Sequence, residues 1–230
     1  MCAGDIIPSL SIVPIIELSK SGKGGQFLGT GSFVGDKKFL LTCEHVIASW
    51  NEDYAIMPHE DPPKMYRAVP ILRDGEVDLA CLRVEEYNPP HSFPLAEDVN
   101  ITPNQFVCAF EYSTTEIAGR QIKFTPANRM GNVTRLRNLN KIYGKAGEEM
   151  LELSFPAPMG ASGAPVLLNK SPFSLWGVIK SNVARELISA HVEKILDESG
   201  EITEETKFYL PQALAIHVKH VRNLLRRIKS

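Results

Sequence analysis

The sequence predicts an all-β protein, and three observations predict it. Short apolar segments rich in Val, Ile, Phe and Leu recur along the 230 residues. Turn residues bound most of them, as strands require. Long helices do not alternate with them, which argues for a sandwich or for barrels rather than a parallel sheet.

In chain order the strand candidates are residues 10–16, 27–34, 39–43, 54–57, 77–84, 105–112, 121–125, 149–155, 164–168 and 175–181. Pro and Asn interrupt the pattern at Tyr87-Asn88-Pro89-Pro90-His91, a seam between two halves of similar strand content. Two segments read as helix. Ile188, Val192 and Ile195 recur at helical spacing within residues 185–196, ahead of an acidic stretch. Leu214, Val218, Val221, Leu225 and Ile228 form one stripe of a C-terminal helix, with Lys219, Arg222, Arg226 and Lys229 on its solvated face.

Composition narrows the function classes. With 43% hydrophobic and 23% charged residues the chain has the balance of a soluble globular domain. A net charge of −2 gives no electrostatic case for nucleic acid, and no apolar run is long enough to span a membrane. The N-terminal residues lack the pattern of a secretory signal. Cys43, Cys81 and Cys108 sit inside strand-like apolar runs, and no C-x-x-C pair occurs among these and Cys2. Free buried thiols in a reducing, cytoplasmic compartment are expected.

The run Met159-Gly160-Ala161-Ser162-Gly163-Ala164-Pro165 carries the chemistry. A serine in a turn of nearly side-chain-free residues can stand clear of the backbone while consecutive N–H groups converge on one spot. A nucleophile with an oxyanion hole needs that geometry, although an ordinary turn has the same composition. His45 follows the apolar run 39–44. A histidine at a strand exit is fixed yet can face a cleft, as a general base must; a satisfied core histidine reads alike. Asp78 opens the apolar run 77–82, where a carboxylate must be paired. Orienting His45 is one such pairing and a strand-end turn is another. Asp74, beside Gly75, is the second candidate. Cys43 and His45 find no further ligands at metal-site spacing, so no metal is expected.

The order His45, Asp78, Ser162 is the chymotrypsin order of a catalytic triad. Beyond the triad, Gly29-Thr30-Gly31-Ser32-Phe33-Val34, Leu41-Thr42-Cys43-Glu44-His45-Val46, Asp78-Leu79-Ala80-Cys81-Leu82, Gly160-Ala161-Ser162-Gly163-Ala164-Pro165 and Gly177-Val178-Ile179 follow in sequence. Together they resemble the motifs of the trypsin-like serine peptidases, closest to the bacterial HtrA-like branch, here without a PDZ domain. The resemblance implies two antiparallel six-stranded β-barrels and a C-terminal α-helix in one peptidase domain. The N-terminal barrel would span about 8–88, a linker 89–104, the second barrel 105–216 and the helix 212–229.

The resemblance further implies a serine endopeptidase acting on protein or peptide substrates, with His45, Asp78 and Ser162 as the triad. The N–H groups of Gly160 and Ser162 would form the oxyanion hole, and no cofactor is needed. Substrate would bind against Pro156, Ala157 and Met159 on one side and add as a strand beside Lys180, Ser181 and Asn182. The uncharged segment 156–159 implies no preference for Lys or Arg before the cut bond, and a modest one for small or medium apolar residues. Ala161 departs from the Asp or Asn usual at its position. Lys180 falls where a small residue is usual behind the triad Asp; there it could pair with Asp78 and impair it, or, with the register shifted by one, point outward. Segment 129–145 falls where the family keeps mobile activation loops and 185–205 could form a lid or docking element, with a regulatory partner contacting one of them; plain solvated surface loops are the other reading of both. The alternative is a silent trypsin-like fold that binds peptides or regulates another protein.

Overall fold

The computed structural model describes residues 8–20, 25–35, 39–48, 53–60, 62–97, 101–113, 115–118, 121–138, 149–170, 173–186, 191–197, 200–206 and 209–229. The first six strands are β1 (Ile12–Leu18), β2 (Gly25–Phe33), β3 (Phe39–Cys43), β4 (Tyr54–Ile56), β5 (Tyr66–Asp74) and β6 (Leu79–Val84). They close into a barrel in the order β1-β2-β3-β6-β5-β4, every neighbouring pair antiparallel. Closure leaves no open edge and buries one face of each strand inside. Ile15, Phe33, Leu40, Ile56 and Leu82 fill that interior with no exposed surface.

Among the described residues ten further strands follow, six of which build a second barrel and four of which form two hairpins. β7 (Phe106–Glu111) is followed by the two-stranded hairpin β8 (Thr115–Ala118) and β9 (Gln121–Phe124), then β10 (Ala127–Asn138), β11 (Glu149–Leu153), β12 (Pro165–Leu168) and β13 (Leu175–Glu186). A second hairpin, β14 (His191–Asp197) and β15 (Gly200–Thr206), precedes β16 (Tyr209–His217). Strands β10-β11-β16-β13-β12-β7 close the second six-stranded barrel. The expected fold, two antiparallel six-stranded barrels with a C-terminal helix, is the one observed.

The segment between the barrels clasps both. Phe93 exchanges backbone hydrogen bonds with Phe33 and Gly35 of the first barrel at 2.8 Å each. Immediately after it, Leu175 of the second barrel donates to Pro94 O at 2.8 Å, and Ala96 donates to Leu175 O at 3.0 Å. The helix α1 (Val218–Lys229) then packs on β13 and β16 and reaches back to β5 and β6. Its buried stripe is Val218, Val221, Leu224 and Leu225. His217 caps its N-terminus, with Nδ1 accepting from Lys219 N–H at 3.1 Å. Burial lowers the His217 pKa to about 4, which keeps that nitrogen available as an acceptor.

Several sequence expectations need correction. The helix starts at Val218; residues 212–217, counted within it, belong to β16. Ala213, Leu214, Ala215 and Ile216 are all buried because the two faces of β16 pack into two different hydrophobic clusters, Ala213 and Ala215 into one and Leu214 and Ile216 into the other beside the α1 stripe. A strand covered on both faces loses its alternation and cannot be told from a buried helix by period alone. The described residues of the segment 185–196 are strand and not helix. Arg185 and Glu186 end β13, and β14 pairs with β15 with Ile195 opposite Ile202. Ile188 lies outside the described residues. The segment 129–145 is no loop through Asn138: β10 runs there, and residues 139–148 lie outside the described residues. Its charges misled, because Arg129 pairs with the fully buried Glu111 at 2.9 Å and Arg137 with Glu152 at 2.6 Å. Strand β5 was missed because Pro70 sits in it; the register slips between Pro70 and Leu72, the bulge that a strand proline favours. Cys43, Cys81 and Cys108 are free and buried, as expected; Cys2 lies outside the described residues.

Candidate active site

His45 is held before any substrate arrives. It sits in a short 3-10 turn (Glu44–Ile47) directly after β3, and its side chain is 48% exposed. Asp78 grips it twice. Oδ1 accepts from the His45 backbone N–H at 2.9 Å, and Oδ2 lies 2.8 Å from Nδ1. The Asp78 carbonyl also accepts from Glu44 N–H at 3.1 Å. A carboxylate facing Nδ1 fixes the tautomer with its proton there, which leaves Nε2 as an acceptor on the exposed side. Asp78 pays with a left-handed backbone, φ +61°, a conformation that Asp tolerates better than most residues. Its low exposure of 8% accords with a carboxylate fully used by its neighbours. Asp74, the second candidate, is engaged elsewhere: Arg227 of α1 bonds its Oδ2 at 2.6 Å.

Ser162 lies in a sharply folded turn. Ala161 N–H donates to Pro158 O at 3.0 Å, with Gly160 third in that turn at φ +89°. Positive φ at this position is the mark of a type II turn, in which the central peptide turns the Gly160 N–H outward. Ala164 N–H donates to Ala161 O at 3.0 Å and Gly163 N–H to Ile179 O at 2.8 Å. Among the described residues neither the Gly160 nor the Ser162 N–H has a protein acceptor. Two unspent donors thus flank the serine side chain. Ala161 is fully buried where the resemblance leads one to expect Asp or Asn.

The glycine-bracketed strand β2 braces this turn across the barrel boundary. Thr30 N–H donates to Ser162 O at 2.9 Å and Thr30 Oγ1 to Gly160 O at 2.9 Å. Thr42 Oγ1 in turn donates to Thr30 O at 2.8 Å. A Cβ on Gly29 would lie 2.9 Å from Ser162 O and 3.0 Å from Val46, so the residue after His45 and the serine turn converge on one bare backbone. Sequence reasoning quoted Gly29 and Thr30 within a motif but gave neither a role. Their signal is the pair of glycines itself: Gly29 permits the approach of the serine turn from the second barrel, while Gly31 faces Leu40 and Ile15 inside the first.

Lys180 connects the remaining parts. The β13 register slips between Ile179 and Ser181, a bulge that re-aims the residue between them. Lys180 Nζ stands 3.9 Å from Asp78 Oδ2, the inward one of the two orientations its position allowed. Its carbonyl accepts from Ser162 Oγ at 3.2 Å. Ser162 Oγ is therefore not hydrogen-bonded to His45 in this conformation. Pairing between β12 and β13 stops at Pro165 opposite Val178, so beyond Ile179 that edge of β13 faces no strand of the barrel. Along it Ser181 is exposed, and the Asn182 side chain bonds Ala157. Pro156 is exposed, Ala157 buried, and Met159 is 94% exposed at the rim.

Cys43, His45 and Asp78 bring three possible ligand atoms within 4.8 Å. They are already spent on one another and on the fold. Cys43 Sγ donates to Ile179 O at 3.1 Å, and burial, reinforced by the Asp78 charge, raises the thiol pKa far above neutral. A protonated thiol and a carboxylate committed to an imidazole make a poor metal site.

Two closed barrels with a histidine–carboxylate pair on the first and a serine turn on the second define the chymotrypsin-like class. The trypsin-like peptidase domain matches residues 29–172, and the chain belongs to that family. No curated protein matches the sequence. Among solved structures, the HtrA-type protease AlgW with decapeptide superposes with a TM-score of 0.63 at 16% identity, over 96% of this chain and 64% of that one. This chain thus spans slightly under two thirds of the AlgW chain's length. The MamO protease domain from Magnetospirillum magneticum gives 0.62 at 16% identity, over 94% and 96% of the two chains. A serine endoprotease from Yersinia pestis gives 0.61 at 15% identity, over 96% and 63%. At these identities the likeness is one of fold.

Proposed function

We propose that this chain is a serine endopeptidase that hydrolyses peptide bonds of protein substrates. The observation that carries the reading is the double grip of Asp78 on His45, which leaves Nε2 as a base on the side open to solvent. Ser162 Oγ attacks the peptide carbonyl carbon while His45 Nε2 takes its proton. The oxyanion that forms receives the Gly160 and Ser162 N–H groups, and Asp78 stabilises the imidazolium. Collapse expels the amine, which takes the proton back from Nε2. Water then repeats the sequence on the acyl group and restores Ser162.

The resting hydroxyl points elsewhere, to Lys180 O. A peptide adding as a strand beside Lys180–Asn182 would compete for that carbonyl and release Oγ toward His45. Substrate, or a partner peptide on the same edge, thereby acts as the trigger. The protein cleaves an unfolded protein such as casein, and Ser162→Ala abolishes the cleavage; undiminished cleavage by Ser162→Ala contradicts the proposal. A folded protein inert toward every unfolded substrate is the result expected of a silent binding module.

Lys180 also bears on rate. Its ammonium shares Asp78 Oδ2 with the imidazolium that forms in the transition state, and like charges disfavour that state. Lys180→Met removes the charge and keeps the carbonyl. It is expected to raise kcat by roughly threefold to tenfold with little change in KM. A fall in kcat would show instead that the lysine assists the pair.

A further inference from the structure

The segment before the nucleophile and the strand after Lys180 are joined by a single side chain. Asn182 Oδ1 accepts from Ala157 N–H at 2.7 Å, and its Nδ2 donates to Ala157 O at 2.6 Å. Both backbone groups of Ala157 are satisfied by one amide, which pairs with it as a neighbouring strand would. Asn182 is two residues beyond Lys180, whose carbonyl holds Ser162 Oγ, and Ala157 is five residues before Ser162. The bridge therefore lies beside the reacting atoms.

The gap it closes is where a substrate side chain must go. A peptide lying along the β13 edge with its carbonyl at Ser162 directs the side chain preceding the cut bond between 156–159 and 180–182. A wide slot there would leave the Ala157 backbone facing solvent or substrate. Here the amide of Asn182, a residue exposed at the surface, spans it, and Ala157 is 7% exposed. We propose that Asn182 is the specificity-determining residue of this protein, closing the slot so that only Gly, Ala or Ser is accepted before the cut bond. A longer side chain must break both hydrogen bonds, leaving a buried donor and acceptor of Ala157 unpaired. The inference rests on the peptidase reading, and it sharpens the expectation of small or medium apolar residues to the smallest ones.

The test compares fluorogenic tetrapeptides that differ only in Ala, Val, Leu or Phe before the cut bond, with each enzyme titrated first by a fluorophosphonate. The wild type is expected to favour Ala over Phe by about a hundredfold in kcat/KM, within the range by which side-chain size discriminates between substrates. Asn182→Gly removes the bridge and is expected to raise the Phe-to-Ala ratio by tenfold or more. Asn182→Ala, tested alongside, shifts the ratio in the same direction and guards against a glycine variant that does not fold. A wild type that takes Leu or Phe as readily as Ala overturns the inference, as does a ratio unmoved in both folded variants. Failure of the wild type to react with the fluorophosphonate removes the peptidase reading and this inference with it. Labelling with a flat side-chain profile removes the inference alone.

Discussion

Asp78→Asn is expected to lower kcat/KM on a peptide substrate by about a thousandfold to ten-thousandfold while the protein stays folded. Asn keeps the size of Asp and tolerates the left-handed φ of +61° at this position. Its carbonyl oxygen can still accept from the His45 backbone N–H, the role of Oδ1 at 2.9 Å. The second atom is then an amide that donates, facing Nδ1 where Oδ2 stood at 2.8 Å. A donor there forces the proton of the neutral ring onto Nε2, and the base is lost. The imidazolium of the transition state also loses its counter-charge. The fall should appear in kcat, with KM little changed and the melting temperature within about 3 °C of wild type. A loss under about tenfold would mean that His45 is not the base.

The second large effect is on stability. Gly163→Ala places a methyl group against Thr30 O and Thr42 Oγ1 from a residue at φ +88°. The methyl meets backbone and a hydrogen-bonded hydroxyl, neither of which can yield without parting β2 from the serine turn. Strain and lost bonds together are expected to cost about 3 kcal/mol or more. For a domain of this size the melting temperature then falls by about 6–12 °C. Calorimetry checks it. A shift under about 2 °C would contradict the account of this seam as a rigid brace between barrels. Gly35, at φ +53° with open space around it, serves as the comparison, where alanine meets strained φ but no neighbour.

Apart from β5, the strands of the first barrel and the strands around the serine were legible because each is a short apolar run between turn residues. So were the three candidate site residues, each a polar residue at the edge of such a run. Lys180 was legible only as a misfit of register; the bulge that aims both its ammonium and its carbonyl at the site depends on β16, a strand not foreseen. Strand β10 was hidden by arginines whose partners, Glu111 and Glu152, lie on β7 and β11, neighbours brought alongside only by barrel closure. The Asn182–Ala157 bridge spans 25 residues and leaves no periodic trace. Thr30 carries its message across 132 residues to Ser162, and nothing local distinguishes it from any other strand threonine. What escaped the sequence is the long-range pairing of polar groups, because its partners are set by topology and not by spacing.

Reaction with a fluorophosphonate, read by intact mass and peptide mapping, tests the central claim most directly. An activated serine reacts with such a probe and an ordinary surface serine does not. One adduct per chain is expected, located on Ser162, lost in Ser162→Ala and slowed at least about a hundredfold in His45→Ala and Asp78→Asn. An adduct on another residue, or labelling of Ser162 that is as fast in His45→Ala as in the wild type, would contradict it.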